Sequence, residues 1–282
     1  MINISLSIFL SKYYFNINQD DLTTKTDIQS IVCEVLGVDK THLYINQDLS
    51  IDTCQVSILE NKIARLIGGE PLAYIIGYQY FWEQKLLVTK NTLIPRADTE
   101  IIVQSVLDDI LDTNAKLNIL DLGTGTGSIA LALAGELPNS QITAVDLSAD
   151  ALIVAKQNGI LNNISNVEFV QSSWYESLGY QQFDIIVSNP PYIDYQDDDI
   201  YLNVKSYEPE LALFADDNGL ADIVTIISDA KQHIKTSGRV YIEHGYTQGS
   251  HVRDIFINNG FENVETIQDL NGLDRCTNGV MR

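Results

Sequence analysis

Short apolar runs alternate with helix-like stretches from residue 117 to the end of the chain. The runs predict strands at 118–121, 141–146, 167–170, 183–188, 239–243, 264–268 and 275–281. The stretches between them predict helices at about 128–136, 150–162, 219–235 and 249–259. A repeated strand, helix and strand order favours a parallel sheet with right-handed crossovers. We therefore expect an α/β domain in this part of the chain.

The chain before residue 80 has a helical pattern instead. Residues 24–27 offer N-caps to an apolar stretch at 28–36, and a glycine follows where that helix would end. A short helix is predicted from Thr41. A longer one is predicted with Thr53 as its N-cap and with apolar residues three or four positions apart on one face. This pattern predicts a small bundle of three to five helices that carries no visible chemistry.

Between these two regions the pattern changes to aromatic and β-branched runs. Residues 74–77, 80–82 and 86–88 suggest a hairpin of two strands joined near 83–85. A loop with the sequence Leu93-Ile94-Pro95-Arg96 follows, and a helix is predicted from Asp98 to about residue 112. Arg96 could bind a ligand carboxylate or pair with a neighbouring side chain, and the sequence leaves both open.

Composition places the 282-residue chain among ordinary globular proteins, with 45% hydrophobic and 20% charged residues. No stretch approaches the roughly 18 consecutive apolar residues that a membrane span needs, and residues 1–10 do not have the pattern of a signal peptide. The three cysteines are dispersed, which favours a reducing compartment, so we expect a cytoplasmic protein. The four histidines have no ligand spacing, and no metal site is predicted.

Charge is the most unusual bulk property, at a formal net −21. Residues 1–90 hold 7 basic and 10 acidic side chains, net −3, whereas residues 91–282 hold 10 and 28, net −18. Nucleic-acid affinity depends on Lys and Arg that neutralise phosphates, and no run of basic residues offsets this acidity. The charge therefore disfavours a nucleic-acid partner, and general solubility is an equally good explanation for it.

One apolar run ends in the sequence Asn189-Pro190-Pro191-Tyr192. Two adjacent prolines fix φ twice and remove two backbone donors, so the stretch can continue neither a central strand nor a helix. It predicts a rigid loop at the carboxyl end of the strand at 183–188, where open α/β sheets bind their ligands. A simple strand-ending turn is the alternative for any Pro-Pro pair.

A glycine-rich loop follows the first predicted strand of the α/β region. It has the sequence Gly123-Thr124-Gly125-Thr126-Gly127-Ser128, before a helix rich in alanine and leucine. Glycines let the backbone approach a ligand that faces the amides of a helix N-terminus. A dinucleotide fingerprint requires its third glycine at the position of Ser128, so the nicotinamide or flavin interpretation is weakened.

An acidic residue ends the second predicted strand. Asp146 lies 21 positions after Gly125, where a carboxylate can accept hydrogen bonds from a ribose diol. The alternative is a helix N-cap, although Ser148 or Asp150 can serve as one. The glycine loop, Asp146 and the proline stretch should therefore meet at one edge of the sheet.

These motifs together resemble the class I S-adenosylmethionine-dependent methyltransferases that act on a planar amide or amine nitrogen. Three further stretches extend the resemblance over nearly the whole chain to the peptide chain release factor N5-glutamine methyltransferases, the HemK/PrmC family. They are Gly69-Glu70-Pro71-Leu72-Ala73-Tyr74-Ile75-Ile76-Gly77, the loop from Leu93 to Glu100, and Glu243-His244-Gly245. That loop usually reads Pro-Arg-Pro-Glu-Thr-Glu in the family. Here Ala97 and Asp98 replace its second proline and first glutamate, and the role of Asp98 stays open.

The resemblance implies an α/β fold with a Rossmann-like class I methyltransferase domain, built on a mostly parallel seven-stranded sheet after a small helical domain. It divides the chain into a helical substrate-recognition domain at 1–78, a hairpin and linker at 79–98, and the methyltransferase domain at 99–282. The implied activity is transfer of a methyl group from S-adenosyl-L-methionine to the glutamine of the Gly-Gly-Gln motif in class 1 release factors. No direct nucleic-acid partner and no membrane are expected.

The resemblance also implies roles for individual residues. The residues expected to bind the cofactor are Gly123, Thr124, Gly125, Thr126, Gly127, Asp146, Trp174 and Asn189. The substrate glutamine is expected to contact Asn189, Pro190, Pro191 and Tyr192, of which Asn189, Pro190 and Tyr192 are the catalytic group. Trp174 follows the third strand and could instead be a core or lid aromatic.

Three other functions compete with this one. A DNA or RNA amino-methyltransferase shares the Asn-Pro-Pro-Tyr motif, but it must hold a nucleic-acid strand with basic residues that are lacking here. A methyltransferase for a glutamine of a ribosomal protein is a nearer alternative, against which the loop from Leu93 to Glu100 favours the release factor. A cofactor-binding module without catalysis is disfavoured because the whole motif from Asn189 to Tyr192 is present.

Overall fold

Contacts along the chain separate it into two units, Met1–Gly77 and Tyr78–Arg282, in a computed structural model. The structure describes residues 4–14, 24–46, 49–196 and 206–282. The first unit has one cluster of buried apolar residues and the second has two. Each unit therefore has the core that an independently folding domain needs.

The first unit is helical in its described part. Its elements are β1 (Ile4–Ser5), α1 (Leu6–Tyr14), α2 (Lys25–Leu36), α3 (Lys40–Ile45), β2 (Ser50–Ile51), α4 (Thr53–Ile67) and α5 (Leu72–Ile76). The strands β1 and β2 form a short antiparallel pair. The core consists of apolar residues that are fully buried, among them Ile28, Ile31, Val32, Leu59 and Ile63.

Helix starts and stops in this unit follow local chemistry. Thr24 and Asp27 form a reciprocal capping box before α2, and Gly37 ends the helix with a left-handed φ of 64°. These bounds confirm the prediction for the stretch at 28–36. The start predicted at Thr41 is one residue late, because Asp39 caps α3, and the cap of α4 is Asp52 where Thr53 had been predicted.

The aromatic and β-branched residues at 74–77 predict a strand, but the structure shows none there. It belongs to α5, which follows Pro71 and ends at Gly77 with a φ of 86°. Proline suits the start of a helix, and the left-handed glycine ends it after little more than one turn. The hairpin itself, β3 and β4, is confirmed with its turn at Trp82 and Glu83.

The second unit alternates strands and helices. Its first half contains β3 (Tyr78–Phe81), β4 (Gln84–Leu87), a 3-10 turn (Ala97–Thr99), α6 (Glu100–Asp109), β5 (Asn118–Leu122), α7 (Ser128–Glu136), β6 (Gln141–Asp146), α8 (Ala149–Leu161) and β7 (Val167–Gln171). Its second half contains β8 (Phe183–Ser188), β9 (Ile193–Asp194), a 3-10 turn (Glu210–Ala212), β10 (Phe214–Ala215), a single turn (Asp216–Gly219), α9 (Ala221–His233), β11 (Ile234–Glu243), α10 (Gly249–Asn258), β12 (Phe261–Gln268) and β13 (Asp274–Met281).

Seven of these strands form one sheet in the order β12-β13-β11-β8-β5-β6-β7. The five strands from β11 to β7 are parallel, and β13 is antiparallel to both of its neighbours. This confirms the predicted seven-stranded, mostly parallel sheet. In the sheet, β6 lies on one side of β5 and β8 lies on the other side. The carboxyl ends of β5 and β8 therefore flank a topological switch point, where open α/β sheets bind ligands.

Both faces of the sheet are covered, which explains why its strands are apolar runs and do not alternate. Successive residues of β5 point to opposite cores, since Ile119 packs with α6 and α7 while Leu120 packs with α9 and α10. The strand β11 is longer than predicted and begins at Ile234, because its polar residues from Lys235 to Gly238 interrupt the apolar pattern at a register shift. In the described ranges, no helix combines the length and apolarity needed to cross a bilayer.

A buried asparagine helps to hold the hairpin β3–β4 against the sheet domain. Asn158 of α8 is fully buried, and its Oδ1 accepts from the Leu87 amide at 2.6 Å. Its Nδ2 donates to the carbonyls of Leu87 at 3.1 Å and Thr126 at 2.9 Å. One side chain thus joins the hairpin to the residue before Gly127 in the glycine loop.

We expect the Asn158→Ala variant to lose about 2–4 kcal/mol of unfolding free energy, because buried backbone groups of Leu87 and Thr126 are left without partners. Urea denaturation followed by circular dichroism measures this loss. Asn162→Ala, at the C-cap of the same helix, is the matched control, since Asn162 is partly exposed and its replacement should cost well under half as much. Equal losses in the two variants would contradict the structural role of Asn158.

Candidate functional site

The loops after β5, β6, β7 and β8 meet at the carboxyl edge of the parallel sheet. They line a cavity of about 250 Å³ in the second unit. The predicted site residues on its wall are Gly123, Gly125, Asp146, Trp174, Asn189 and Pro191. Residues from four different loops are thus brought together by the strand order, as the sequence pattern predicted. The roles assigned to them stay predictions.

The glycine loop turns sharply from β5 into α7. The φ angles of Gly123, Gly125 and Gly127 are 71°, 55° and 82°, all in the left-handed region. Residues other than glycine rarely adopt such angles. A Cβ at Gly127 would lie 3.1 Å from Leu131 and 3.3 Å from Ala155, so this glycine also allows α7 and α8 to pack closely. A Cβ at Gly125 would meet nothing within 4 Å, which leaves its backbone open to a ligand.

The two threonines of the loop face inward and do not line the cavity. Thr124 is buried, and its hydroxyl donates to Asp121 Oδ2 at 2.6 Å, while the amide of Ala130 donates to the same oxygen at 3.2 Å. Thr126 is also buried, and its carbonyl accepts from Asn158. These threonines therefore hold the loop in shape from within.

Asp121 at the end of β5 is a fully buried carboxylate beneath this loop. Burial raises the pKa of Asp121 to about 7, and the hydrogen bond from Thr124 opposes that shift. Its second oxygen, Oδ1, is buried and has no hydrogen-bond partner within the described ranges. The carboxylate is thus a polar group beside the loop with unused acceptor capacity.

Asp146 at the end of β6 is held by backbone amides. Its Oδ2 accepts from the Gly125 amide and its Oδ1 from the Ser148 amide, both at 2.8 Å. Burial raises the pKa of Asp146, and these amides counteract that shift. Ser148, not Asp146, caps α8 by accepting from the Ala151 amide. The Asp146 carboxylate therefore has a fixed position on the cavity wall and is not used as the helix cap.

Trp174 lies in the loop after β7 with a left-handed φ of 44°. Its ring atom Cζ3 would be 3.5 Å from a Cβ on Gly123. A bulky residue at this φ is strained unless its surroundings hold it there. Trp174 is thus fixed as one wall of the cavity while it also packs against the core next to α9.

Asn189 begins the proline stretch at the end of β8. Its Nδ2 donates to the hydroxyl of Thr99 at 3.1 Å. Asn189 and Pro191 line the cavity, whereas Pro190 is buried beneath them. Because the Nδ2 end of the carboxamide is held by Thr99, its Oδ1 end is left to accept hydrogen bonds from a ligand.

Tyr192 completes the stretch and points to the base of the site. Its hydroxyl donates to Glu243 Oε1 at 3.1 Å, and its carbonyl accepts from Gln248 Nε2 at 3.0 Å. A Cβ on Gly219 would fall 2.1 Å from that carbonyl oxygen, so only glycine allows this close approach. The proline stretch is therefore fixed at both ends by side chains from other elements.

Arg96 pairs with another side chain of the protein, which is one of the two alternatives that its sequence position left open. Its Nη2 lies 2.5 Å from Glu208 Oε1, and Glu208 is buried with a side-chain exposure of 1%. The other oxygen of Glu208 accepts from the Ile94 amide at 3.0 Å. Asp98 lies 3.7 Å from Arg275. The loop from Leu93 to Glu100 is thus held by ion pairs beside the cavity.

Sequence reasoning did not single out several residues of this site. Thr99 and Glu243 appeared only inside longer motifs, and Glu208 and Arg275 carried no signal. Glu243 could have been found, because it is an acidic residue at the carboxyl end of an apolar strand, the position that identified Asp146. Thr99 could not, since a hydroxyl at a predicted helix start is ordinarily a cap.

Comparisons with known proteins identify the family. Residues 100–205 match the methyltransferase small domain and residues 19–77 match the PrmC N-terminal domain. The release factor glutamine methyltransferase of Francisella tularensis is 57% identical over 98% of both chains. The chain belongs to the release factor glutamine methyltransferase family. The release factor glutamine methyltransferase of Aliivibrio fischeri is 41% identical over 90% of this chain and 89% of its own.

Solved structures support the fold of this family member. A methyltransferase from Pyrococcus furiosus is similar over 78% of this chain and 98% of its own, with a TM-score of 0.54 and 18% identity. Such a likeness establishes the fold and nothing finer. The methyltransferase fold and the family predicted from the motifs are both confirmed, and the protein is an enzyme of the methyltransferase class.

Proposed function

We propose that the protein transfers a methyl group from S-adenosyl-L-methionine to the side-chain amide nitrogen, N5, of the glutamine in the Gly-Gly-Gln motif of class 1 peptide chain release factors. The observation that carries this proposal is the fixed carboxamide of Asn189. Thr99 holds its Nδ2, so Oδ1 faces the cavity as an acceptor beside the glycine loop and Asp146. The names of the relatives at 57% and 41% identity supply the substrate class.

The residues around the cavity fit the proposed cofactor by their chemistry. Asp146 offers carboxylate oxygens to a diol, and each oxygen keeps a free lone pair after its amide bond. Trp174 offers an aromatic face to a planar base. Because Gly123 and Gly125 have no Cβ, a ligand can approach their backbone atoms closely. When bound, S-adenosyl-L-methionine supplies an electrophilic methyl group on its sulfonium sulfur.

The glycine loop would hold the cofactor mainly through its backbone. Gly123 and Gly125 line the cavity, whereas Thr124, Thr126 and Gly127 shape the loop behind them. All five belong to the proposed cofactor site, two by contact and three by supporting the fold of the loop. Asn189 borders the same cavity and would face both the cofactor and the substrate.

The proline stretch is suited to activating an amide nitrogen. A glutamine amide is a poor nucleophile, because its lone pair is delocalised into the carbonyl. Asn189 Oδ1 and the Pro190 carbonyl can each accept one amide hydrogen, which would turn the lone pair toward the cavity. Two prolines keep these acceptors rigid, and such pre-organisation can supply roughly 7 to 11 kcal/mol in well-aligned systems. Pro191 and the ring of Tyr192 would limit rotation of the amide and exclude water.

No histidine is needed for this chemistry. A methylated amide nitrogen that still carries both hydrogens is strongly acidic, and it loses a proton to water or a nearby carbonyl without a dedicated base. In agreement with this, no histidine lines the cavity within the described ranges. His244 is buried, and burial lowers its pKa, so it stays neutral next to Thr277.

We further propose that residues 1–78 recognise the protein substrate and that the hairpin and linker at 79–98 connect this domain to the methyltransferase domain at 99–282. The match of residues 19–77 to the PrmC N-terminal domain supports a separate helical module. Because release factors act in translation, we place the reaction in the cytoplasm.

The decisive experiment presents labelled S-adenosyl-L-methionine and the protein separately to a class 1 release factor, to ribosomal proteins and to DNA. We expect label only on the release factor, lost when its Gly-Gly-Gln glutamine is replaced by alanine. Label on a ribosomal protein or on DNA with none on the release factor would overturn the proposal. The net charge of −18 on residues 91–282 makes DNA the less favoured acceptor.

A further inference from the structure

One glutamine joins three chain segments next to the proline stretch. Gln248 lies just before α10, and its Nε2 donates to the carbonyls of Tyr192 and Asn218, both at 3.0 Å. Its Oε1 accepts from the amide of Gly245 at 2.8 Å. Gln248 is half-buried and does not border the cavity. It can therefore affect a ligand there only through the segments that it joins.

The orientation of the Gln248 carboxamide is fixed by its backbone partners. A backbone amide can only donate, so the atom that faces Gly245 must be the oxygen. A backbone carbonyl can only accept, so the atom that faces Tyr192 and Asn218 must be the nitrogen. A carboxamide rotated by 180° would place like groups against each other at all three contacts. Gln248 thus has one orientation, in which the hydrogens of Nε2 hold the carbonyls of two segments.

The turn Asp216–Gly219 lies against the same Tyr192 carbonyl. The last three residues of this turn have left-handed φ angles of 57°, 54° and 78°. Such angles are strained for residues other than glycine and persist only where the surroundings hold them. A Cβ on Gly219 would lie 2.1 Å from the Tyr192 oxygen and 2.8 Å from Gln248 Nε2. The turn therefore approaches Tyr192 as closely as it does because its last residue has no side chain.

The chain after Tyr192 is held to the same segment. The amide of Ile193 donates to the carbonyl of Leu213 at 3.0 Å, and β9 pairs with β10 in parallel. Residues 209, 211 and 212, which come just before β10, border the cavity. Tyr192 thus lies where the proline stretch joins a segment of the cavity wall, and Gln248 connects the two through their carbonyls.

We propose that Gln248 and Gly219 are positioning residues that set the place of the Tyr192 carbonyl and so hold the Tyr192 ring and the proline stretch in place for the methyl acceptor. This inference rests on the proposed function. The Tyr192 hydroxyl donates to Glu243 Oε1 at 3.1 Å, so the residue is held at its backbone and at the tip of its ring. A displacement of about 1 Å at a reaction site can cost about 10²-fold in rate.

The first test separates displacement of Tyr192 from backbone strain. In Gly219→Ala the new Cβ meets the Tyr192 oxygen, so the proline stretch must move. Gly260→Ala is the matched control, because Gly260 has a similar left-handed φ of 87° and a Cβ there would meet nothing within 4 Å. We expect Gly219→Ala to lower kcat for the release factor by about 10²-fold, and Gly260→Ala to keep the wild-type kcat per folded enzyme. Equal kcat values in the two variants would overturn the role of Gly219.

The second test removes the hydrogen bonds of Gln248 without adding a clash. Gln248→Met loses all three bonds, whereas Gln248→Glu keeps an oxygen for Gly245 and loses the donors to Tyr192 and Asn218. At alkaline pH, where the new carboxyl is ionised, we expect both variants to lower kcat by about tenfold. Gln182→Met, at an exposed position before β8, is the control and should keep the wild-type kcat. A wild-type kcat in Gln248→Glu would overturn the inference, because only the bond from Gly245 would then matter.

Two further measurements distinguish positioning from general loosening of the domain. In Gln248→Met, the cofactor affinity from isothermal titration and the KM for the release factor should stay within a few-fold of wild type, so that the loss lies in kcat. The double variant Gln248→Met, Tyr192→Phe releases both ends of one residue. Its loss in kcat should differ from the product of the two single losses by at least about threefold. Losses that simply multiply, or a cofactor affinity that falls as far as kcat does, would overturn the inference.

These outcomes are separable from the proposed function. If the wild-type enzyme does not methylate the release factor, the proposed function fails. If it does, and Gly219→Ala and Gln248→Met keep the wild-type kcat, only the positioning role fails.

Discussion

Replacement of Asn189 by alanine should reduce methyl transfer to the release factor by at least about 10²–10³-fold, the loss found when one pre-organised hydrogen-bonding group is removed from an active site. Alanine removes the only side-chain oxygen that the proline stretch directs toward the cavity, and leaves Thr99 without its donor partner. The Pro190 carbonyl alone cannot orient an amide with two hydrogens. Single-turnover kinetics with saturating cofactor measure the effect on the chemical step.

Affinity for the cofactor should remain within a few-fold in Asn189→Ala, because Asp146, Trp174 and the glycine loop are unchanged. Isothermal titration with S-adenosyl-L-methionine checks this. Asn139→Ala, at an exposed position after α7, is the control for the same chemical change and should behave as the wild type. A parallel loss of cofactor affinity in Asn189→Ala would make Asn189 a cofactor residue and would remove it from the acceptor site.

The second large effect is expected from Asp146→Ala. Loss of charge-assisted hydrogen bonds to a ribose diol should weaken cofactor binding by roughly 1–3 kcal/mol, about fivefold to 150-fold. The substitution also releases the amides of Gly125 and Ser148, so the glycine loop loses its support at the same time. Titration with S-adenosyl-L-methionine measures the affinity, and thermal denaturation separates it from loss of folding.

Asp150→Ala is the matched control for this variant. Asp150 is an exposed carboxylate in the first turn of α8, and its removal changes the net charge by the same amount. Cofactor affinity should be unaffected. If Asp146→Ala binds the cofactor as well as Asp150→Ala does, the proposed contact between Asp146 and the ribose is excluded.

The sequence was sufficient to predict a helix or strand wherever residues within that element determine its structure. The strands of the sheet are buried on both faces, so their apolar runs are continuous and could be recognised one by one. The capping box at Thr24 and the left-handed Gly37 also act within a few residues. The predictions failed where a weak local pattern competed with a stronger neighbour. Residues 72–76 are helical because Pro71 and Gly77 set both ends, despite the β-branched residues between them.

Side-chain partners that lie far apart in the chain could not be predicted in the same way. Arg96 pairs with Glu208 across 112 positions, and no pattern near either residue indicates the other. Asn189 hydrogen-bonds to Thr99 across 90 positions and Tyr192 to Glu243 across 51, and neither bond is visible in the local sequence.

The sequence by itself determined the family and several of the residues that meet at the cavity. Glycines, a strand-end carboxylate and two adjacent prolines are recognisable because each imposes a local backbone constraint that few other residues satisfy. Only the tertiary structure decided which side chains hold the Asn189 carboxamide. Asn189 Nδ2 donates to the hydroxyl of Thr99, a buried residue 90 positions earlier in the chain, and this contact exists only once the two segments pack together.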